Sequence, residues 1–445
     1  MLDEDPTEVL PFRRSVPSGI VLDPDRRAKA PNLKAAISGL AKDLEVAEME
    51  LGLRVRQRDD EARDKFRLAV EALVCNFLVI QMAGSSQPLA VPKGSAAMWG
   101  SRRSKPKVYG KPFLDALAVL EHPDMAMIER VATGYKFGAG TGGLSTIHAR
   151  PKLFATLGES VTVWDDMTRD APPEVLILKA PKVKGEDAVE MDYRETGRTR
   201  KLRKEVEAIN EWLSSAAIYL SGSPSNLDED GQPIDPTKRS VRRIFNNGVW
   251  TDGGRLYGAF WETMPRAMRF HLLRIGSAKE PAGEPICDVD YGQLFPRLAY
   301  ARADVSGMPD ELYDVFGDSS SRAGVKKLLN ALLFHKGRLM RWPTGTSKHF
   351  GGMKLSDAVA AIHSAHQPIA HLFGTGIGHK LAFMESNILI EVLKRLRFMN
   401  IVALPLHDAV LVAQSNAEIA KHEMGETFKT MLGGISRVPV SVEIV

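Results

Sequence analysis

Apolar residues recur at helical spacing in two stretches near the start of the chain: Leu40, Leu44 and Ala47 in one, and Phe66, Val70, Leu73 and Phe77 in the next. A helix face repeats every three to four residues, so two helices are predicted between about Asn32 and Met82. The run RVRQRDDEARDK between them reads as a solvated helix face. The first thirty or so residues mix Pro, Asp and Arg without a sustained apolar period and are expected to form a loosely docked arm.

A break rich in Gly, Ser and Pro spans 83–100 and leads into the basic run SRRSKPKVYGK, with Arg102, Arg103, Lys105, Lys107 and Lys111. Beyond it, Pro112–Leu120 is amphipathic at helical spacing. Met127–Lys136 and Leu144–Arg150 read as extended runs around the glycine-rich turn FGAGTGG. Helix, strand, glycine-rich tip, strand is the order of a winged-helix module, whose helix enters a major groove while its hairpin lies along phosphates. The same order also serves units that only pack on a neighbouring domain. Further on, Arg194, Arg198, Arg200, Lys201, Arg203 and Lys204 lie on a helix-like stretch that reads either as a grip on phosphates or as a solvated face. The polar segment SPSNLDEDGQPIDPTK is expected to be a turn-rich hinge.

Candidate chemistry is concentrated in the last third. In PICDVDYGQLFPRLAYA, the period of two of a strand puts Asp288 and Asp290 on one face. In IVALPLHDAVLVAQ, two apolar runs flank His407 and Asp408, which predicts a hairpin with an acid at its tip. If these strands are neighbours, the Asp290 and Asp408 carboxylates converge. Such a pair is costly unless a divalent cation neutralises it, and oxygen donors of this kind suit Mg2+ or Mn2+. Between the two acids, Arg322, Lys326, Asn330 and Phe334 are each four residues apart and share a helix face. Its cations suit the β- and γ-phosphates of a nucleoside triphosphate, and the Phe334 ring suits stacking on a base. Acid strand, cationic helix and acid hairpin together describe two-metal nucleotidyl transfer, with two ions clamping the attacking and leaving oxygens.

From Lys238 to Val445 the chain resembles the family A DNA polymerases, the bacterial DNA polymerase I group. DYGQLFPR is similar to their motif A, D-Y-S-Q-x-E-x-R, at Asp290, Tyr291, Gln293 and Arg297. RAGVKKLLNALLF is similar to motif B, R-x3-K-x7-Y-G, at Arg322 and Lys326, and LHDAVLV is similar to motif C, V-H-D-E, at His407 and Asp408. GGRLYG around Arg255 resembles the T-G-R-L segment before motif A, and a related segment of single-subunit phage RNA polymerases. Leu381–Leu396, with Glu385 and Ser386, stands where the family has a helix that contacts the primer-template.

The resemblance implies an α/β (α+β) right-hand palm in which Asp290 and Asp408 are the catalytic metal ligands. It implies reduced fingers in which Arg322, Lys326 and Phe334 meet the nucleotide beside Tyr291 and Phe295. Arg255, Gln293 and Arg297 are then expected on nucleic acid, joined by Arg102, Arg103 and Lys105 of the N-terminal basic run. The expected divisions are 1–95, an arm and helical region; 96–160, a winged-helix-like module; 161–284, a thumb-like template-contacting region; and 285–445, palm and fingers.

Several positions depart from the family. Gly292 replaces the motif A serine, Phe295 replaces its glutamate, and Pro296 follows. A bulky Phe295 is expected to exclude a ribose 2′-hydroxyl and favour deoxynucleotides, whereas Phe334-His335 in place of Tyr-Gly removes a phenolic hydroxyl and leaves sugar choice open. Ala409 replaces the motif C glutamate, so Asp288 or Glu385 is the candidate third acid, each also readable as a surface or capping residue. His407 is expected to support the acid strand. The short interval from Asp290 to Asp408 predicts reduced fingers, and the lack of an Asp-x-Glu exonuclease signature predicts no proofreading.

Composition narrows the setting. Apolar residues make up 44% and charged residues 26%, an ordinary globular balance. The net charge of +4 is too small to identify an anionic partner by itself. The 2 cysteines exclude a disulfide framework or a cysteine-based zinc site and suit a reducing compartment. No apolar run is long enough to span a bilayer, and the acidic start does not resemble a signal peptide, so a cytoplasmic protein without membrane partners is expected. The expected function is a compact DNA polymerase of a mobile element, acting on a DNA primer-template or a single-stranded template with nucleoside triphosphates. An RNA-synthesising polymerase or primase is the nearest variant. A non-catalytic DNA-binding initiator or regulator with a decayed palm is the competitor from another class.

Overall fold

The computed structural model describes residues 19–444 apart from 101, 138–140, 159–163, 184–187, 223–226, 229–230, 306–307 and 434–437. Most of the expected arm and the centre of the glycine-rich tip lie outside the described residues.

The two predicted helices are Pro31–Glu50 and Asp60–Met82. Proline opens the first, where a missing N–H costs no helical bond, and Asp59 caps the second by accepting a 2.8 Å bond from the Ala62 amide. Leu33, Leu40, Leu44, Phe66, Val70 and Leu73 bury their apolar faces in a core shared with the helix Lys111–Glu121. The run between them is not uniformly solvated: Arg58 is buried in an ion pair with Glu48, and its guanidinium lies 3.8 Å from the Phe66 ring centroid. A four-stranded sheet completes this part, in the order Ile20–Val21, Leu89–Val91, Ser145–Ala149, Ile128–Ala132. The last two strands form an antiparallel pair with Ile128 opposite Ala149.

Buried charges tie this part to the middle of the chain. Arg26 donates to Asp235 at 2.6 Å and to Asn76 at 2.8 Å, while Arg169 pairs with both Asp23 and Asp235. Burial alone would raise the Asp23 carboxyl, but Arg169 and Arg26 hold it well below the usual range. In its described part, the segment expected to be a hinge is therefore an anchor, with Asp235 only 4% exposed.

The middle region has a four-stranded sheet in the order Glu190–Met191, Leu176–Lys179, Arg242–Phe245, Gly253–Tyr257. Against it packs the helix Gly197–Ser215, which starts in a reciprocal Thr196–Thr199 cap with bonds of 3.1 and 2.8 Å. A third sheet runs Ile218–Leu220, Leu273–Ile275, Glu284–Tyr291, Ala409–Ala413, Ala403–Leu406, and Val440–Glu443 also pairs with Glu284–Tyr291. The expected boundary at 284/285 cuts through this sheet, because two of its strands precede that point. Cys287, Val289 and Tyr291 face a core shared with the helices Gly378–Phe398 and Ala417–Met431.

A smaller separate core joins the helices Arg322–Phe334 and Leu355–Ala365 through Val325, Leu328, Leu329, Leu332 and Ile362. Gly324 is required there, since a Cβ would stand 2.6 Å from His349 and 2.7 Å from Phe350. Among the described residues, no helix is long and apolar enough to cross a membrane.

Candidate active site

The first acid lies on the central strand Glu284–Tyr291. Alternation buries Cys287, Val289 and Tyr291 and leaves Asp288 and Asp290 partly exposed on the other face. The second acid lies in the two-residue turn His407-Asp408, closed by the pairing of Leu406 with Ala409. His407 takes the left-handed conformation, φ 58°, that tight hairpin turns favour at their first position. Ala409 is the register partner of Asp290. Asp408, one residue before it, therefore stands beside Asp290 across adjacent strands.

The two candidate third acids have other neighbours. Burial raises the Asp288 carboxyl, opposed by Arg269 and Arg266 of the helix Arg266–Leu272. Glu385 is 1% exposed and accepts two bonds from Arg255, at 2.6 Å from Nε and 2.8 Å from Nη2. It is the counter-ion of Arg255. Among the described residues there is no cluster of three or more His, Cys, Asp or Glu side chains suited to a metal.

Arg255, expected on nucleic acid, is 9% exposed and turned into the protein. Burial would lower its pKa, but Glu385, and to a lesser degree Tyr257 and Asp408, keep it protonated. Its guanidinium carbon lies 5.5 Å from the Phe295 ring centroid, and the Tyr257 ring stands 5.8 Å from that of His407. Arg255 thus links the acid turn to Phe295. Arg243 braces the same strand from behind, bonding the Gly254 carbonyl at 2.9 Å and Asn387 at 2.7 Å, while Ser386 also donates to the Gly254 carbonyl.

Phe295 is 3% exposed, and its centroid is 5.3 Å from that of Phe334. Pro296 falls in the first turn of the helix Leu294–Arg302, where it is tolerated. Phe334 rests against Gly378, where a Cβ would come within 2.5 Å of the ring. The shared face of Arg322, Lys326, Asn330 and Phe334 therefore runs from solvent at Arg322 to the Phe295 contact. Arg322 is half exposed, 3.4 Å from Glu311, and its guanidinium carbon is 5.5 Å from the Tyr313 centroid.

The other motif A residues are turned to internal work. Tyr291 donates a 2.7 Å bond to the Met424 carbonyl and packs on Phe428, away from any nucleotide beside Asp290. The strand period already implied this, because consecutive residues point to opposite faces. Gln293 donates to Glu311 at 3.0 Å and accepts from the Leu312 amide at 2.6 Å. Arg297, 4% exposed, donates to the Asp310 carbonyl at 2.6 Å. Both hold the segment before the cationic helix, Arg297 from a buried position and Gln293 from a partly exposed one. In the N-terminal run, Arg102 is exposed, Arg103 reaches Asp192 at 3.2 Å and Glu195 at 3.4 Å, and Lys105 donates to the Met98 carbonyl at 2.7 Å. Sequence reasoning missed Arg243 and Glu311. One signal was available for the buried pair: Glu385 falls at the apolar spacing of Leu381, Ala382 and Leu389, and an acid on a buried face requires a cation.

No known family model matches the chain, and no curated protein does. Among solved structures it is similar to the POL domain of Pol1 from M. smegmatis, in complex with DNA primer-template and dNTP. The identity is 12%, the match covers 95% of this chain and 66% of that one, and the TM-score is 0.31. The chain thus spans just under two thirds of that neighbour, and the likeness is a loose one at the level of the fold.

Proposed function

We propose that the chain is a templated nucleotidyltransferase, a compact DNA polymerase that extends a primer from deoxynucleoside triphosphates. What supports this reading is the register that sets Asp290 opposite Ala409, the residue after Asp408, together with the Arg322–Phe334 helix that ends at the Phe295 contact. In the reaction, the primer 3′-hydroxyl gives up its proton to solvent and its oxygen bonds to the α-phosphorus as the bond from that phosphorus to the bridging oxygen breaks, and pyrophosphate leaves. Arg322 and Lys326 bind the β- and γ-phosphates and take up the charge of the departing group. Phe334 flanks the base, and Phe295 closes the space that a 2′-hydroxyl needs.

The donor set fits Mg2+, which takes one or two carboxylates together with substrate phosphates and retains water. Held by Asp290 and Asp408, it would supply charge neutralisation at the reacting phosphate. The N-terminal part supports a DNA-binding role of winged-helix type: from Asp60–Met82 its chain order is helix, strand, short helix, helix and four strands, with 145–149 between 89–91 and 128–132 in the sheet, and Tyr135–Phe137 paired with Thr141–Gly143 between 128–132 and 145–149 in sequence.

Primer extension with Mg2+ or Mn2+ and either sugar tests the reading. Extension by the wild type, lost in both Asp290→Ala and Asp408→Ala while DNA binding persists, supports it. One observation favours a second reading: Ala409 stands beside Asp408, and Glu385 is occupied by Arg255. A chain that binds DNA and never extends it would be an initiator or regulator with a decayed palm.

A further inference from the structure

A cationic surface outside the acid site is assembled from two distant parts of the chain. On the helix Gly197–Ser215, Leu202, Val206, Ile209 and Leu213 are buried, and Arg200, Lys201 and Lys204 are exposed on the opposite side. The spacings of three and four residues put Lys204 beside both of the others. Arg194 is exposed just before the helix. Arg103 of the N-terminal part docks here, bonding Asp192 and Glu195 with its guanidinium 4.7 Å from the Tyr193 centroid, and the residue before it, Arg102, is exposed.

The acids before the helix and beneath it are engaged, Glu195 with Arg203 at 2.7 Å and Glu174 with Arg203 at 3.0 Å, while Glu207 and Glu211, exposed further along the helix, mark where the cationic stretch ends. Arg194, Arg200, Lys201 and Lys204 form no ion pair among the described residues. The surface is tied to the helix that carries Glu385. Arg198, on the same helix, bonds the Trp250 carbonyl at 2.8 Å and lies 5.7 Å from the ring centroid of Phe383, two residues before Glu385.

We infer that this surface binds the phosphodiester backbone of double-stranded nucleic acid and guides it toward Asp290 and Asp408. The guidance rests on the polymerase reading; the binding does not. Cations without stacking partners suit a duplex, whereas single-strand binders interleave aromatic platforms. Here Tyr193 is covered by Arg103, Trp250 packs against Tyr193 and Phe245, and residues 197–204 contain no aromatic side chain.

The test is fluorescence anisotropy of the full chain with a labelled duplex and a single strand of the same length, across a salt series without nucleotide or divalent metal. The wild type is expected to prefer the duplex. Arg200→Ala/Lys201→Ala/Lys204→Ala should weaken duplex binding about tenfold or more and flatten the slope of log K against log salt by roughly 2 to 3, about 0.9 per lost phosphate contact. The three side chains are exposed, and an unchanged melting temperature confirms that folding is intact. An unchanged slope in the triple variant, or equal or tighter binding of the single strand, overturns the inference. Because no chemistry is read, a chain that fails to extend primers can still pass this test, and one that extends them can fail it.

Discussion

Glu385 and Arg255 form a two-point ion pair, 2.6 and 2.8 Å, buried beside the acid turn and beneath Phe295. Removing one partner of a buried pair strands the other charge in a poor solvent, at a cost of about 3–5 kcal/mol. Glu385→Ala should therefore lower unfolding stability by about that amount in urea titrations, and Glu385→Gln by less, since the amide oxygen still accepts one bond. Arg255→Met/Glu385→Leu should recover much of the loss. Additive losses in the double variant would show that the two groups act independently.

Phe295 is held by the Arg255 guanidinium on one side and the Phe334 ring on another. A wall fixed in this way discriminates by volume. Phe295→Ala should open space for a 2′-hydroxyl and raise ribonucleotide incorporation relative to deoxynucleotide, measured as the ratio of the two kcat/KM values. It should also cost about 3–5 kcal/mol through the lost ring. A destabilised variant with unchanged sugar preference would leave Phe295 as a packing residue only.

The parts of this arrangement legible from sequence are those with a short period. The apolar spacing of Leu40 and Leu44 or of Phe66 and Val70 marks helix faces, and the apolar runs around His407-Asp408 mark a hairpin whose turn is where the pattern breaks. Register follows from neither. That Asp290 faces Ala409 on one side and Ser441 on the other is a tertiary fact. The protein partners of Arg255 and Gln293 are hidden for a related reason. A polar residue near a candidate site offers the same sequence signal whether it meets a substrate or a protein partner, and the Arg255 partner lies 130 positions away.

Val440–Glu443 supplies a second neighbour to the strand bearing Asp290, with Tyr291 opposite Val440, and the Gly292 amide donates to the Pro439 carbonyl at 2.8 Å. Deleting residues 438–445 would leave the Asp288–Tyr291 half of that strand with a bare edge. Amide exchange across residues 288–291 should accelerate by at least tenfold, and primer extension should fall with it, while exchange in the helices Pro31–Glu50 and Asp60–Met82 stays as in the full chain. Unchanged exchange at 288–291 would mean that Ala409–Ala413 alone holds the strand.

Glu262 caps the turn after the strand bearing Arg255, accepting 3.1 Å bonds from the Gly258 and Ala259 amides. The adjoining Trp261 is buried and donates at 2.9 Å to the Pro405 carbonyl in the acid hairpin. Burial pushes the Glu262 carboxyl up to about 7, against the lowering effect of those amides and of Lys238 and Arg269. A carboxyl whose pKa is higher folded than unfolded binds more protons in the native state. Its favourable contribution is complete below about pH 4.5 and is lost as pH rises through about 7. Stability measured by urea unfolding should accordingly fall between pH 5 and pH 8 by on the order of 2 kcal/mol from this group. Glu262→Gln, which stays neutral throughout, should flatten that part of the profile and be the more stable form at pH 8. A profile with the same slope in both proteins would assign the pH dependence to other groups and leave Glu262 ionised in its cap.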